Sequence, residues 1–130
     1  MRTVVTCMGE SLIDFVLLPA PGQSVFGTGG SRPEDQGVVL SKGAMSTDFR
    51  MYPGGSMFNV AVGLARLGQH AAFAGKIAED FFGYHLPLTL KIEGVDTRFL
   101  TTVKAQSALA FVAMEEGKPV FSFSLQQWPL

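Results

Sequence analysis

Charge is scarce in this sequence. Only 16% of its 130 residues are Asp, Glu, Lys or Arg, against about 25% in an ordinary globular chain, so a large apolar area has to be covered by something. Ten Lys and Arg stand against eleven Asp and Glu, a net charge of -1. With no basic surplus to neutralise a phosphate backbone, nucleic acid and anionic membranes are excluded as main partners, which leaves a small or uncharged one. A single cysteine, Cys7, rules out an internal disulfide. Glu10 and Asp14 interrupt the apolar start before a run of about 18 residues can build up, so neither a signal peptide nor a membrane span is expected and the setting reads as cytoplasmic. With 47% hydrophobic residues the chain has the material for a core, and its length suits one domain. A domain of this size still buries only about two-thirds of its unfolded surface. Low charge and eleven phenylalanines therefore suggest a piece of a larger fold.

Chemical motifs are equally sparse. The Gly-x-x-x-x-Gly-Lys-Ser/Thr pattern of a phosphate-binding loop is absent, and Gly54-Gly55 lacks the later glycines of a dinucleotide fingerprint. His70 and His85 have no partner at metal-ligand spacing and Cys7 has no neighbouring cysteine, so no metal site is legible.

What is present alternates between strand and helix. Thr3 to Met8 is β-branched and apolar and stops at Gly9, as a buried strand feeding a turn does. Leu12 to Leu17 resumes the extended pattern with one acid, Asp14, inside it. From Pro19 to Gly43 prolines and glycines dominate, which predicts a long loop or flap in which Val38-Val39-Leu40 alone is able to pack. Phe49 to Tyr52 alternates weakly and ends at Pro53-Gly54-Gly55, read as a turn. Met57 to Leu67 is rich in helix formers and stops at Gly68. Its apolar residues run nearly all round, leaving only the stripe Asn59, Gly63 and Arg66, so cover on most sides is expected. Ala71 to Ile77 predicts a strand, and Glu79-Asp80 offers an N-cap for a helix through Phe82, Leu86, Leu90 and Ile92 up to Gly94, with Pro87 forcing a kink or a late start. Strand-helix-strand order of this spacing predicts a right-handed crossover and a parallel sheet. Ala108 to Met114 and Val120 to Ser124 flank a loop of hairpin length at Glu115 to Lys118.

One constellation offers chemistry. Gly54-Gly55-Ser56 leads straight into the helix, so unpaired amides converge there with no β-carbon from the two glycines in the way. Asn59, the only asparagine, falls in the first turn and can present a donor and an acceptor to a hydroxyl; Asp14, when ionised, accepts from two neighbouring hydroxyls of a polyol. Each also has a plain explanation: a glycine pair as a turn, an asparagine as a local cap, an aspartate as a solvated acid.

The arrangement as a whole is more specific. Gly9-Glu10-Ser11-Leu12-Ile13-Asp14, followed by Pro53-Gly54-Gly55-Ser56-Met57-Phe58-Asn59 and the helix to Gly68, resembles the N-terminal half of the ribokinase-like (PfkB) carbohydrate kinases, in particular their fructokinase-like branch. Gly75-Lys76-Ile77-Ala78-Glu79-Asp80-Phe81-Phe82-Gly83, Glu93 to Thr97, and Ala108-Leu109-Ala110-Phe111-Val112 through Phe123 keep the same order and spacing. The likeness covers nearly the whole chain outside the Gly/Pro-rich stretch.

The resemblance implies an α/β fold: the N-terminal part of a ribokinase-like, Rossmann-type sheet with a small β-lid, and an incomplete domain. It implies that residues 1–130 are the substrate-binding portion of a carbohydrate kinase, with 19–48 as loop or lid and the C-terminal catalytic and ATP-binding half absent. Asp14, Gly54, Gly55 and Asn59 would hold the hydroxyls of a fructose-like sugar. The intact family enzyme uses ATP and Mg²⁺. Its second signature, Asp-Thr-x-Gly-Ala-Gly-Asp, supplies the catalytic base and the anion-holding helix end, and it does not occur in this sequence. No catalytic residue, nucleotide site or metal site is therefore assigned, and inactivity of the chain alone is expected. Bare edges left by the missing half predict low stability or association, as a homodimer through the lid or by pairing with a full-length kinase. A non-catalytic sugar-binding or kinase-interacting module is the alternative, and a nucleotide-binding α/β domain of other chemistry a weaker one. Met57, Ala78 and Pro87 depart from the family pattern, and Met57 bears on the width of the sugar pocket.

Overall fold

The computed structural model describes residues 4–18, 38–41 and 44–124. The Gly/Pro-rich stretch at 19–37, Thr3 and the last six residues lie outside the described residues. Two compact units emerge, one built on the chain up to Ile13 and on Pro53–Leu109, the other on Asp14–Tyr52 and Ala110–Phe123.

The first unit is a parallel sheet with two helices. Its strands are β1 (Val5–Met8), β6 (Ala71–Ala78) and β7 (Asp96–Val103), in the order β1-β6-β7. Both pairings are parallel, Val5 facing Ala71 and Gly75 facing Leu100, as the strand-helix-strand order predicts. Ala71, Ala72, Phe73 and Ile77 of β6 and Cys7 of β1 are buried, because a central parallel strand is covered on both faces and carries a continuous apolar run. Helix α1 (Ser56–Arg66) packs on β1 and β6, with Phe58 turned edge-on to Phe73 at 5.8 Å. Helix α2 (His85–Ile92) packs on β7 through Leu86 and Leu90, four residues apart and both buried; each such leucine contributes about 1.5–3 kcal/mol.

Both helices stop by the same device. Gly68 donates to the Ala65 carbonyl and Gln69 to Leu64 after α1; Gly94 donates to Lys91 and Val95 to Leu90 after α2, each glycine at φ 80. This paired-bond ending is the one the sequence predicts from its two glycines. Arg66 and Glu93, at the ends of α1 and α2, form a two-pronged ion pair at 2.5 and 2.8 Å.

Three expectations are corrected. Helix α1 is not covered on most sides: among the described residues only Phe58 and Ala61 of this helix are fully buried, and Val60 is 47% exposed. Glu79-Asp80 does not cap a helix; residues 79–84 form bends and turns, and α2 starts at His85. Pro87 therefore sits in the first turn, where its missing N–H deprives no carbonyl of a partner. Pro53-Gly54 is not a turn but the end of β5 (Phe49–Gly54). A proline is tolerated there because β5 is the edge of its sheet.

The second unit centres on a four-stranded sheet ordered β5-β2-β8-β9, with β2 at Leu12–Leu17, β8 at Leu109–Glu115 and β9 at Lys118–Ser124. Strands β8 and β9 meet at a two-residue turn, Glu116-Gly117, with φ 48 and 73, the tight hairpin geometry that matches strand twist. Phe111 of β8 stacks on Phe15 of β2 at 5.2 Å and meets Phe49 of β5 edge-on at 5.9 Å. A separate hairpin pairs β3 (Val38–Ser41) with β4 (Ala44–Thr47), so the packing stretch expected at Val38 to Leu40 is a strand with a partner that no sequence pattern marks.

The burial expected of the first strand is also corrected: β1 is an edge strand in which only Cys7 is buried, and Val4, Val5 and Met8 are 51%, 41% and 73% exposed. An open edge flanked by apolar side chains is a template for pairing with another chain. The purified chain is expected to elute as a species larger than its 14.0 kDa monomer, and Val4→Lys to shift it toward the monomer in light scattering. A monodisperse wild-type monomer would contradict this.

Candidate functional site

The site is built on the turn between β1 and β2. Gly9 extends the β1–β6 ladder by donating to the Ala74 carbonyl at 3.2 Å, which holds Gly9-Glu10-Ser11 at the carboxyl end of β1. In parallel sheets this is the end at which ligands bind. Gly55 caps α1 at φ 115, a backbone state that a side chain rarely adopts, and a β-carbon there would lie 2.7 Å from the Glu10 carbonyl and 3.2 Å from Ser11 Cα. Glycine at position 55 is thus required by the close approach of the Glu10-Ser11 turn to the head of α1. Met57 lies over the same turn, its Cγ 2.8 Å from where a β-carbon on Gly9 would be. Its departure from the family pattern is accommodated by Gly9.

A cleft of about 610 Å³ opens beside this turn, within the first unit. Glu10, Ser11, Lys76 and Thr101 supply its polar lining, and Met8 and Phe99 are among its apolar walls. Ser11 is 7% exposed and its hydroxyl has no hydrogen-bond partner among the described residues, an uncommon state for a buried polar atom. One acid, one amine and two hydroxyls around an apolar floor suit a neutral polyhydroxylated molecule better than an anion.

Gly54 is buried at the end of β5, Gly55 caps α1, and Asn59 is exposed in the first turn, its backbone N–H donating to the Gly55 carbonyl at 2.9 Å. The structure thus brings three of the four predicted residues to one strand-helix junction. Asp14, the third residue of β2, belongs to the second unit. Its side chain is half-buried, and that burial pushes its carboxyl above the ordinary value of 3.8. Sequence reasoning does not single out Glu10, Ser11, Lys76 or Thr101. The first three lie inside family-like motifs without a distinguishing pattern of their own, and Thr101 lies on β7, whose residues are half-buried or exposed and give no apolar alternation.

No helix among the described residues is long and apolar enough to cross a membrane. Comparison with known proteins agrees with the geometry. The model of the pfkB family carbohydrate kinases matches residues 37–127. The probable chloroplastic fructokinase-6 of Arabidopsis thaliana is 42% identical over 123 residues, which are 92% of this chain and 27% of the relative. A crystal structure of fructokinase from Xylella fastidiosa superposes with a TM-score of 0.72 at 33% identity, over 95% of this chain and 32% of that one. The same enzyme with bound ATP gives a TM-score of 0.70 at 31% identity, over 95% and 30%. The chain thus spans about a third or less of the length of these relatives, corresponds to the N-terminal part of a fructokinase-like kinase and has the fold of an incomplete ribokinase-like domain. By this match, and by the glycine-headed helix seated on the first turn, the chain belongs to the pfkB family of carbohydrate kinases.

Proposed function

We propose that this chain is the sugar-binding, lid-bearing part of an ATP-dependent, fructokinase-like kinase, and that the complete enzyme transfers the γ-phosphoryl of ATP to a hydroxyl of a fructose-like sugar. The observation that carries this reading is the seating of Gly55 against the Glu10-Ser11 turn, beside a cleft lined by the Ser11 hydroxyl, which has no partner among the described residues. The amides at the head of α1, where no side chain caps the helix, and Asn59 take sugar hydroxyls, and the Asp14 carboxylate accepts from two more. Residues 19–48 are the proposed loop or lid, and the described part of that stretch includes the hairpin of β3 and β4. Among the described residues no three His, Cys, Asp or Glu side chains gather around a point where a metal ion could sit, and the sequence holds no Gly-Ala-Gly-Asp segment. ATP and Mg²⁺ are assigned to the complete enzyme, and no step through them is assigned to these residues.

A second reading, a non-catalytic module that pairs with a full-length kinase or with itself, is favoured by the exposed apolar edge of β1. A cytoplasmic setting is part of the same proposal and rests on the lone Cys7; one relative is named as chloroplastic.

Two measurements test the first reading. Calorimetry of the chain with fructose should give a saturable signal, and an ATP-coupled assay of the same sample should give no turnover. Robust turnover would overturn the division of labour proposed here. Absence of sugar binding, together with capture of a full-length kinase, would favour the second reading.

A further inference from the structure

Asp80 makes more hydrogen bonds than any other carboxylate described, and none of the proposed sugar contacts uses it. One oxygen, Oδ1, accepts from the Gly83 amide at 2.7 Å and from the Ser107 hydroxyl at 2.7 Å; Oδ2 accepts from the Ser107 amide at 2.8 Å. Burial alone would raise this carboxyl, but the Ser107 hydroxyl and the Gly83, Ser107 and Phe82 amides outweigh it and hold the group below its ordinary value of 3.8. The carboxylate thus ties the turn after β6 to the segment between β7 and β8. Ser107 itself is 7% exposed. The next residue, Ala108, accepts a bond of 3.0 Å from the amide of Ile13, which is fully buried. Ile13 immediately precedes Asp14.

We infer that Asp80 is a positioning residue for Asp14: through Ser107 and Ala108 it fixes the backbone of Ile13, and so the point at which β2 presents its acid. The inference rests on the sugar-binding reading for its functional meaning. The link itself is a continuous series of bonds, Asp80 to Ser107, then one peptide unit, then Ala108 to Ile13. A role confined to bracing two loops would stop at Ser107.

Amide hydrogen exchange and carboxyl titration, both followed by NMR on the full chain, separate the two. Asp80→Asn turns an amide N–H toward the Ser107 N–H, or loses the bond, while keeping the size of the side chain. The Ile13 amide should then exchange about tenfold faster, while Phe73 at the centre of β6 changes by less than about twofold. The Asp14 titration midpoint should move toward its ordinary value. Ser107→Ala removes the hydroxyl bond but leaves the amide bond, so it should move the same readouts in the same direction by less. It also serves as the measured variant if Asp80→Asn does not fold. Ile13 exchange and Asp14 titration unchanged in either folded variant, or Ile13 and Phe73 accelerating equally, would overturn the inference. Fructose titration of the wild type runs alongside. If no binding is seen there, the sugar reading fails, while the ligand-free amide and titration data still decide whether Asp80 acts on β2.

Discussion

Gly83→Ala should lower the stability of the chain by about 3 kcal/mol, seen as a large drop in the urea midpoint, while Gly63→Ala in the same assay should leave it unchanged or raise it. A β-carbon on Gly83 would stand 1.9 Å from the carbonyl oxygen of Ala78 and 2.9 Å from its carbon. The obstacle is backbone at the end of a buried strand, so no rotamer change relieves it. The turn that would have to move is the one in which the Gly83 amide donates to Asp80, so the cost includes that bond. The loss is large against the roughly 5–15 kcal/mol that hold an ordinary domain folded. Gly63 has nothing within 4 Å of its would-be β-carbon and lies inside α1, where alanine gains about 0.5–1 kcal/mol in helix propensity. Equal effects of the two substitutions would show that the close approach at residue 83 is not a feature of the folded chain.

Asp14→Asn should weaken fructose binding by about 1.5–3 kcal/mol, the usual value of a hydrogen bond to a charged acceptor, or about ten- to a hundredfold in Kd. Unchanged affinity would remove Asp14 from the sugar site. The pH dependence gives a second check. Because burial raises this carboxyl above 3.8, the accepting form is lost as pH falls through a value higher than that of a free aspartate. Fructose affinity should decline there in the wild type, and not through this group in Asp14→Asn. The linked stability has the opposite sign to the common carboxylate case. The folded chain holds this proton more tightly than the unfolded chain, so between 3.8 and the folded value stability falls as pH rises. Asp80, held below 3.8 by its donors, behaves in the ordinary way. Its stabilisation is present above the unfolded value and is lost as pH falls through the folded one.

Periodicity and punctuation make much of the fold legible in the sequence. Strands β1, β2 and β6 stand out as apolar runs, the ends of α1 and α2 as Gly68 and Gly94, and the β8–β9 hairpin as two runs around Glu116-Gly117. What is not legible has physical causes. β5 continues through Pro53 because an edge strand does not need that N–H, a circumstance no local pattern reveals. The start of α2 is misplaced by local pattern because Asp80, a good capping residue by type, caps a turn instead: it accepts from the Gly83 amide three residues on and from Ser107, 27 residues away, and the helix begins only at His85. The exposure of Val60 does not follow from an apolar helix, since composition does not tell which neighbours are present. At the site, Gly54, Gly55 and Asn59 are legible because they adjoin in sequence. Lys76 and Thr101 join the cleft only through the parallel pairing of β6 and β7, where Lys76 faces Thr101.

The pairing of Val5 with Ala71 joins residues 66 positions apart. At about 5–20 residues per second of synthesis, the opening strand waits about 3–13 s for its neighbour to be made. During that interval an apolar segment has no native mate, and the order of manufacture opposes the order of assembly. Nascent chains of this kind are natural clients for factors that shield hydrophobic segments at the ribosome.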